Sequence, residues 1–281
     1  MALARRLVDA RFPDWAGLPL RRVEPGGSDH VIFRLGRELS VRLPRHPGAA
    51  GQAVKESRWL PRLAPHLPLA VPEPVAVGSP AFGYPWSWAV SRWVDGEPPT
   101  VAALGGSARC ARDLARFLTA LRDCPTRDAP GDCHVTTGLA ERDQATRGAI
   151  ARLAGVFDAR AMTGLWEAAL RAPAWHRPPV WFHGDFHTGN LLAAGGRLVA
   201  VIDFGELGIG DPSRDLTIAF TLMSADARAV FRARLGVDEA TWTRGRGWAL
   251  ATGLNAYLHY ADTEPRVAAQ TTRQIGQALL G

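Results

Sequence analysis

Lysine is almost missing from this chain: Lys55 is the only one among 33 lysines and arginines. The formal charge of +6 therefore rests on arginine. These arginines are scattered, with no basic run and no nucleic-acid motif, which argues against a nucleic-acid partner. A basic surface still suits anionic ligands such as nucleotides. Cysteine is scarce too. Cys110, Cys124 and Cys133 make an odd count without a CxxC pair, so neither a disulfide framework nor a zinc site is expected. The opening MALARRLVDARF lacks the apolar stretch of a secretory signal, and no run is long enough to span a bilayer. A soluble, cytoplasmic protein with no membrane partner is the expectation.

What is present is an ordinary globular composition, 47% hydrophobic and 21% charged over 281 residues. That rules out fibre and disorder and is enough for one large domain or two lobes. Residues 1–12 have helical spacing and end at Pro13. Strand-like pieces follow: LRRVE, HVIFRL after Gly26-Gly27-Ser28-Asp29, and ELSVRLP. Alternation in the third puts Leu39, Val41 and Leu43 on one face and Arg42 on the other. AAGQAVKESRWLPRL reads as a helix carrying Glu56, and VPEPVAVG and WSWAVSRWV read as further strands. Beyond Asp95-Gly96-Glu97-Pro98-Pro99 helical patterns dominate, over 106–122, 138–155, 160–171, 213–234, 239–260 and 265–280. A β-rich first third and a helical remainder point to two lobes.

One segment interrupts the helices: HGDFHTGNLLAAGGRLVAVIDFGELGIGDPSRD, from His183 to Asp215. Two apolar strands flank Gly195-Gly196, a hairpin signal. Such a hairpin brings Asn190, at the start of its first strand, near Asp203, at the end of its second, with Asp185 on the entering loop. An amide oxygen and a carboxylate are hard ligands that suit Mg²⁺ sharing its shell with phosphates. A further acid, Asp185, can orient an attacking hydroxyl and take its proton. The competing chemistry is a metal-dependent hydrolase. On an extended strand His183, Asp185 and His187 would share a face and, with Asp203, bind one or two metal ions. Thr188-Gly189 speaks for a loop instead. The other histidines (His30, His46, His66, His134, His176, His259) lie singly, without spacing to complete a cage. Asp211-Pro212-Ser213 also reads simply as a helix start.

HGDxHxxN followed by IDFGxxGxGDPxxDL resembles the aminoglycoside phosphotransferase family, which shares the protein-kinase-like fold. The resemblance covers nearly the whole chain. It implies an α+β bilobal architecture: a small β-rich N-lobe with one key helix, residues 1–94, for nucleotide, and a larger, mostly helical C-lobe, residues 95–281, for catalysis and the acceptor. It implies Asp185 as the catalytic aspartate, His187 beside the transferred phosphate, and Asn190 and Asp203 as ligands of Mg²⁺. His183 would brace the loop, with Asp211 and Asp215 as supporting acids. Gly26, Gly27 and Ser28 resemble the turn over the triphosphate. Arg42 stands where kinases carry lysine, paired with Glu56, and the backbone of Arg92 and Val94 would meet the purine.

The activity so implied is transfer of the γ-phosphoryl group of ATP or GTP to a hydroxyl of a small-molecule acceptor, an aminoglycoside- or macrolide-like antibiotic, with resistance as the outcome. Kinases of choline, homoserine or sugars share the signature, and a non-catalytic nucleotide-binding module is the remaining alternative. Asp226, Glu239, Asp262 and Glu264, near predicted helix ends, are candidates to meet a cationic acceptor. Trp242, Trp248, Tyr257 and Tyr260 would line an apolar pocket or else fill the core.

Overall fold

The structure is a computed structural model that describes every residue except 25, 128, 130–132, 134, 136 and 137, so His134 lies outside the described residues. The chain divides into two compact units, one of residues 1–97 with 199–206, the other of residues 98–198 with 207–281. The break near residue 97 has a second member inside the strand that precedes Asp203, which returns the Asp203 segment to the first unit.

The first unit opens with helix α1 (Ala2–Arg11) and continues through strands β1 (Leu20–Arg22), β2 (His30–Leu35) and β3 (Leu39–Pro44). Helix α2 (Gln52–Leu63) follows, then β4 (Pro74–Gly78) and β5 (Trp88–Arg92). The five strands form one antiparallel sheet in the order β1-β2-β3-β5-β4. Alternation along β3 sends Leu39, Val41 and Leu43 into a core with Phe33, Leu35, Trp88 and Val90, closed by Leu7 and Val8 of α1. Arg42 takes the opposite face, where α2 presents Glu56. The β2–β3 register sets Ile32 opposite Arg42 and His30 opposite Pro44. Gly78 lies flat against Trp88, and a Cβ there would fall 1.9 Å from the indole.

In the second unit come α3 (Val101–Leu104), α4 (Ala108–Asp123), α5 (Asp143–Arg152) and α6 (Ala159–Arg171). Two short strand pairs interrupt them. β6 (Val180–Phe182) pairs with β9 (Gly208–Gly210), in the register Trp181 opposite Ile209. Between them in sequence, β7 (Leu191–Ala194) and β8 (Arg197–Val201), whose residues from Val199 on belong to the first unit, make a two-stranded sheet. Gly195 and Gly196 both have positive φ, as the tight hairpin turn requires. The chain ends with α7 (Ile218–Thr221), α8 (Ala225–Leu235), α9 (Glu239–Tyr260) and α10 (Pro265–Leu280).

The expected helix over 213–234 is broken in two places. Residues Pro212–Thr217 form a tighter helical turn, and α7 stops before Ser224, whose hydroxyl caps α8 by accepting from the Ala227 amide. Thr217 and Thr221 turn their hydroxyls onto carbonyls three residues back, a competition that weakens helix continuity. The carbonyls of Thr221, Leu222 and Met223 are collected by Arg273 of α10. Periodicity also misses β6 and β9, which are three residues each and too short for a pattern. The long helix α9 is buried on several sides, with Gly245 against Leu216 and Gly247 against Ala169.

Replacing Gly78 with Ala should destabilise the protein by about 2 kcal/mol, the scale of overpacking a filled core. Urea unfolding measures it; an unchanged midpoint would show that Trp88 moves freely.

Candidate active site

In the first unit a buried guanidinium organises the polar side of the sheet. Nη1 of Arg42 donates to both carboxylate oxygens of Glu56, at 2.9 and 2.7 Å. Its Nη2 donates to Oδ1 of Asp203 at 2.7 Å. Glu56 is 2% exposed and Arg42 9%. Burying either charge alone would cost several kcal/mol, so the pairing is a condition of the fold here. Burial works to discharge the guanidinium, but Glu56 and Asp203 outweigh it and hold its pKa above the ordinary arginine value.

Asp203 itself has φ +64°, the left-handed region that side-chain-bearing residues seldom occupy. Its neighbour Gly205 packs so tightly against Gln52 that a Cβ would come within 2.3 Å of the amide. Lys55 donates to the Gly205 carbonyl at 2.7 Å, so the lone lysine secures the segment after Asp203 instead of replacing Arg42. Gln52 also donates to Asp29 at 3.2 Å, at the end of the Gly26-Gly27-Ser28 turn. Gly26 and Gly27 do not have positive φ. A Cβ at Gly26 would meet the Arg45 guanidinium at 3.3 Å, so glycine there makes room for a cation. Ser28 donates to Asp29 at 3.2 Å.

Of the two residues expected to face a purine, Arg92 has its N–H committed to the Glu73 carbonyl at 2.8 Å. Its guanidinium reaches Glu38 at 3.3 Å. That amide is taken by the chain itself.

In the second unit Asp215 is the anchor. Buried, it accepts from the His183 and Gly184 amides, both at 2.8 Å, just past β6. Burial raises its pKa, opposed by His183, those two amides and Arg122. Gly184 has φ +89°, and Phe186 is buried and stacked on Phe117 at 5.7 Å. Between them the Asp185 side chain stands about half exposed, at 51%. Asn190, itself buried, donates to the Asp185 backbone carbonyl at 2.9 Å and to its carboxylate at 3.0 Å. His187 Nε2 lies 3.3 Å from the same carboxylate. The crowded inner side of the loop pushes the Asp185 carboxyl up, but His187, His183 and the Asn190 amide together hold it below the usual carboxylate range. It is therefore ionised and able to accept a proton at neutral pH.

His187 is fixed from its other nitrogen. Nδ1 accepts the Gly189 amide at 3.0 Å, and a Cβ on Gly189 would strike the ring at 2.8 Å. His183 is fully buried, with Nδ1 accepting the Asp185 amide at 3.3 Å. The segment is thus a loop leading into a helical turn at Thr188–Asn190, not a strand with three ligands on one face. Among the described residues no group of three His, Cys, Asp or Glu is placed to hold a metal ion. Asn190, by contrast, turns its amide nitrogen to Asp185 and so presents its oxygen elsewhere. That oxygen and, in the first unit, the Asp203 carboxylate are each hard donors of the kind Mg²⁺ takes. Asn190 belongs to the second unit and Asp203 to the first.

Asp211 caps the turn after β9 by accepting the Ser213 amide at 2.9 Å and pairs with buried Arg244 at 2.7 Å. The acceptor candidates lie on separate elements. Asp226 and Glu239 occupy the first turns of α8 and α9, and Glu239 is engaged by Arg232. Asp262 and Glu264 are exposed in the turn between α9 and α10. Trp242 and Trp248 are buried, while Tyr257 stacks edge-on with Phe157 and Tyr260 is exposed. Sequence reasoning passed over His30, Gln52, Lys55 and Thr221 as site partners. His30 alone had a usable signal, because alternation along β2 puts it on the face of Ile32.

The architecture is the α+β protein-kinase-like fold, a β-sheet unit with one buried helix glutamate and a mostly helical unit. The model of the phosphotransferase enzyme family APH matches residues 19–248, and the chain belongs to that family. An aminoglycoside 3'-phosphotransferase of Escherichia coli is 39% identical over 59 residues, a match spanning 21% of this chain and 22% of that protein. The GDP and kanamycin complex of APH(2")-IIia superposes with TM-score 0.78 at 18% identity, covering 99% of this chain and 98% of that one. The macrolide 2'-phosphotransferase MphH of Brachybacterium faecium gives TM-score 0.63 at 23% identity, over 99% and 97%. No described helix is long and apolar enough to cross a membrane.

His30 gives the first unit an acid sensitivity. Burial, then Arg42, depress its pKa to about 4, against opposing effects of Asp203 and Asp29. As pH falls below 6.5 the unfolded chain takes up a proton that the folded chain refuses, so stability drops until about pH 4. Urea unfolding should show about 2 kcal/mol lost between pH 7 and pH 5 from this group, and a His30→Leu variant should lose correspondingly less. Equal losses in both proteins would mean that the imidazole is not held neutral.

Proposed function

We propose that the chain transfers the γ-phosphoryl group of ATP or GTP to a hydroxyl of an aminoglycoside- or macrolide-like antibiotic and so confers resistance. The observation that carries this reading is Asp185: an ionised, half-exposed carboxylate steered by Asn190 on a loop clamped by Asp215. Phosphoryl transfer needs alignment and charge neutralisation more than covalent help, and such a group can orient a hydroxyl and accept its proton. Asn190 and Asp203 would hold Mg²⁺, which would neutralise phosphate charge there. Arg42 adds a fixed cation, positioned by Glu56, and His187 holds the Asp185 carboxylate in place.

Residues 1–94 serve the nucleotide and residues 95–281 the acceptor. The Gly26-Gly27-Ser28 turn, with Arg45 beside it, meets the phosphates, and Val94 meets the purine edge through its backbone, with Arg92 restricted to its carbonyl. Asp262 and Glu264, exposed between α9 and α10, are better placed for a cationic acceptor than Glu239, which is already engaged. Related folds include a GDP and kanamycin complex, a streptomycin and ATP complex and a macrolide 2'-phosphotransferase, which supports nucleotide donor and antibiotic acceptor alike. A nucleoside triphosphate donor in turn supports a cytoplasmic location.

Asp185→Ala should lower turnover by on the order of 10²–10⁴ with nucleotide affinity retained. The assay is ADP release over aminoglycosides, macrolides, amino alcohols and sugars, beside a thermal-shift titration of ATP and GTP with and without Mg²⁺. Full activity in the variant would remove Asp185 from the mechanism. Turnover confined to amino alcohols or sugars would make the protein a metabolite kinase, and stabilisation by zinc alone would favour hydrolysis.

A further inference from the structure

The mechanism above leaves one buried side chain of the first unit unused. His30 is 3% exposed, and its Nδ1 lies 3.5 Å from Nη2 of Arg42. Its place follows from register: Ile32 stands opposite Arg42, and His30, two residues along β2, shares that face as the diagonal neighbour. A guanidinium only donates, so Nδ1 must carry the lone pair and the ring proton sits on Nε2. Burial and the adjacent guanidinium both favour that neutral state.

The donor inventory shows why an acceptor is wanted here. Arg42 spends Nη1 on Glu56 and one N–H of Nη2 on Asp203. The second N–H of Nη2 faces His30. Lysine, with one compact ammonium on a flexible stem, could satisfy Glu56 and Asp203 and turn its last proton to phosphate. A guanidinium is wider and planar, and its rotation about the stem decides where its remaining donor, the Nε–H, and its charge face. A third acceptor, lateral to the two carboxylates, fixes that rotation.

We propose that His30 is a positioning residue which, through a neutral imidazole accepting from Nη2, sets the plane of the Arg42 guanidinium for binding the nucleotide phosphates. It acts through Arg42 and suits arginine in particular. This rests on the reading of the first unit as the nucleotide-binding part.

The test is the affinity of the full-length protein for Mg-ATP, read by calorimetry, for wild type, His30→Leu, His30→Phe and His30→Asn, with thermal melting of each. Leu and Phe fill the space without an acceptor, and Asn restores an acceptor near the position of Nδ1. Leu and Phe should weaken binding about five- to tenfold, the scale of one hydrogen bond to a charged group. Asn should bind within about twofold of wild type. Adding His30→Leu to Arg42→Lys should weaken binding no further than Arg42→Lys alone, which a loss of packing would not predict. Wild-type affinity in both Leu and Phe variants, failure of Asn to rescue, or an equal loss in the Arg42→Lys background overturns the inference while leaving nucleotide binding intact. If one apolar variant melts far below wild type, the other and the Asn rescue decide. Absence of binding by wild type overturns the nucleotide reading, and the inference with it.

Discussion

A guanidinium drawn into the face of a β-sheet is tolerable only if carboxylates follow it, and much of the first unit is arranged to supply them. Strand β3 puts Arg42 opposite the apolar side chains of its own core. Helix α2 must then present Glu56 at that height, and the segment after β8 must bring in Asp203. Asp203 accepts a left-handed backbone to do so, and strain of this kind, about 1 kcal/mol or more, persists where surrounding contacts over-determine it. Those contacts are identifiable: Gln52 against Gly205 and Lys55 on the Gly205 carbonyl. The three charges therefore organise backbone, helix position and a loop together.

The second unit solves a similar problem with a buried anion. Asp215 has little water, and two backbone amides take its place. Those amides belong to His183 and Gly184, so satisfying the carboxylate fixes the residues immediately before Asp185. Phe186, stacked on Phe117, fixes the residue after it. Asp185 is left with a defined backbone and an exposed side chain, which Asn190 and His187 then steer. The two acids are thus distinguished by environment: Asp215 is buried and clamped by amides, while Asp185, the proposed catalytic group, projects outward and stays ionised.

Much of this was readable in the chain because it depends on local rules. Period-2 alternation places Arg42 against Leu39, Val41 and Leu43, and the glycine pair at 195–196 dictates the tight turn. The long helix from Glu239 to Tyr260 begins and ends where its pattern does. What escaped depends on distant partners. The break between α7 and α8 is stabilised by Arg273, some fifty residues further on, which takes carbonyls that a continuous helix would have used. Strands β6 and β9 are too short to announce themselves and exist because each pairs with the other. The commitment of Arg92's amide to Glu73 and of Glu239 to Arg232 is likewise invisible without the fold. His30 was overlooked because a lone histidine on a strand is more often core than partner.

Under the proposed function the buried cation cluster serves phosphoryl transfer as well as folding. The most direct measurement is kcat/KM for phosphoryl transfer by Glu56→Gln, with the acceptor that gives the fastest ADP release, alongside its melting temperature. The glutamine keeps shape and one hydrogen bond but removes the charge opposing Arg42. A folded variant with kcat/KM reduced by about a hundredfold, roughly 3 kcal/mol of transition-state stabilisation, is the predicted result. A folded variant with wild-type kcat/KM would contradict it.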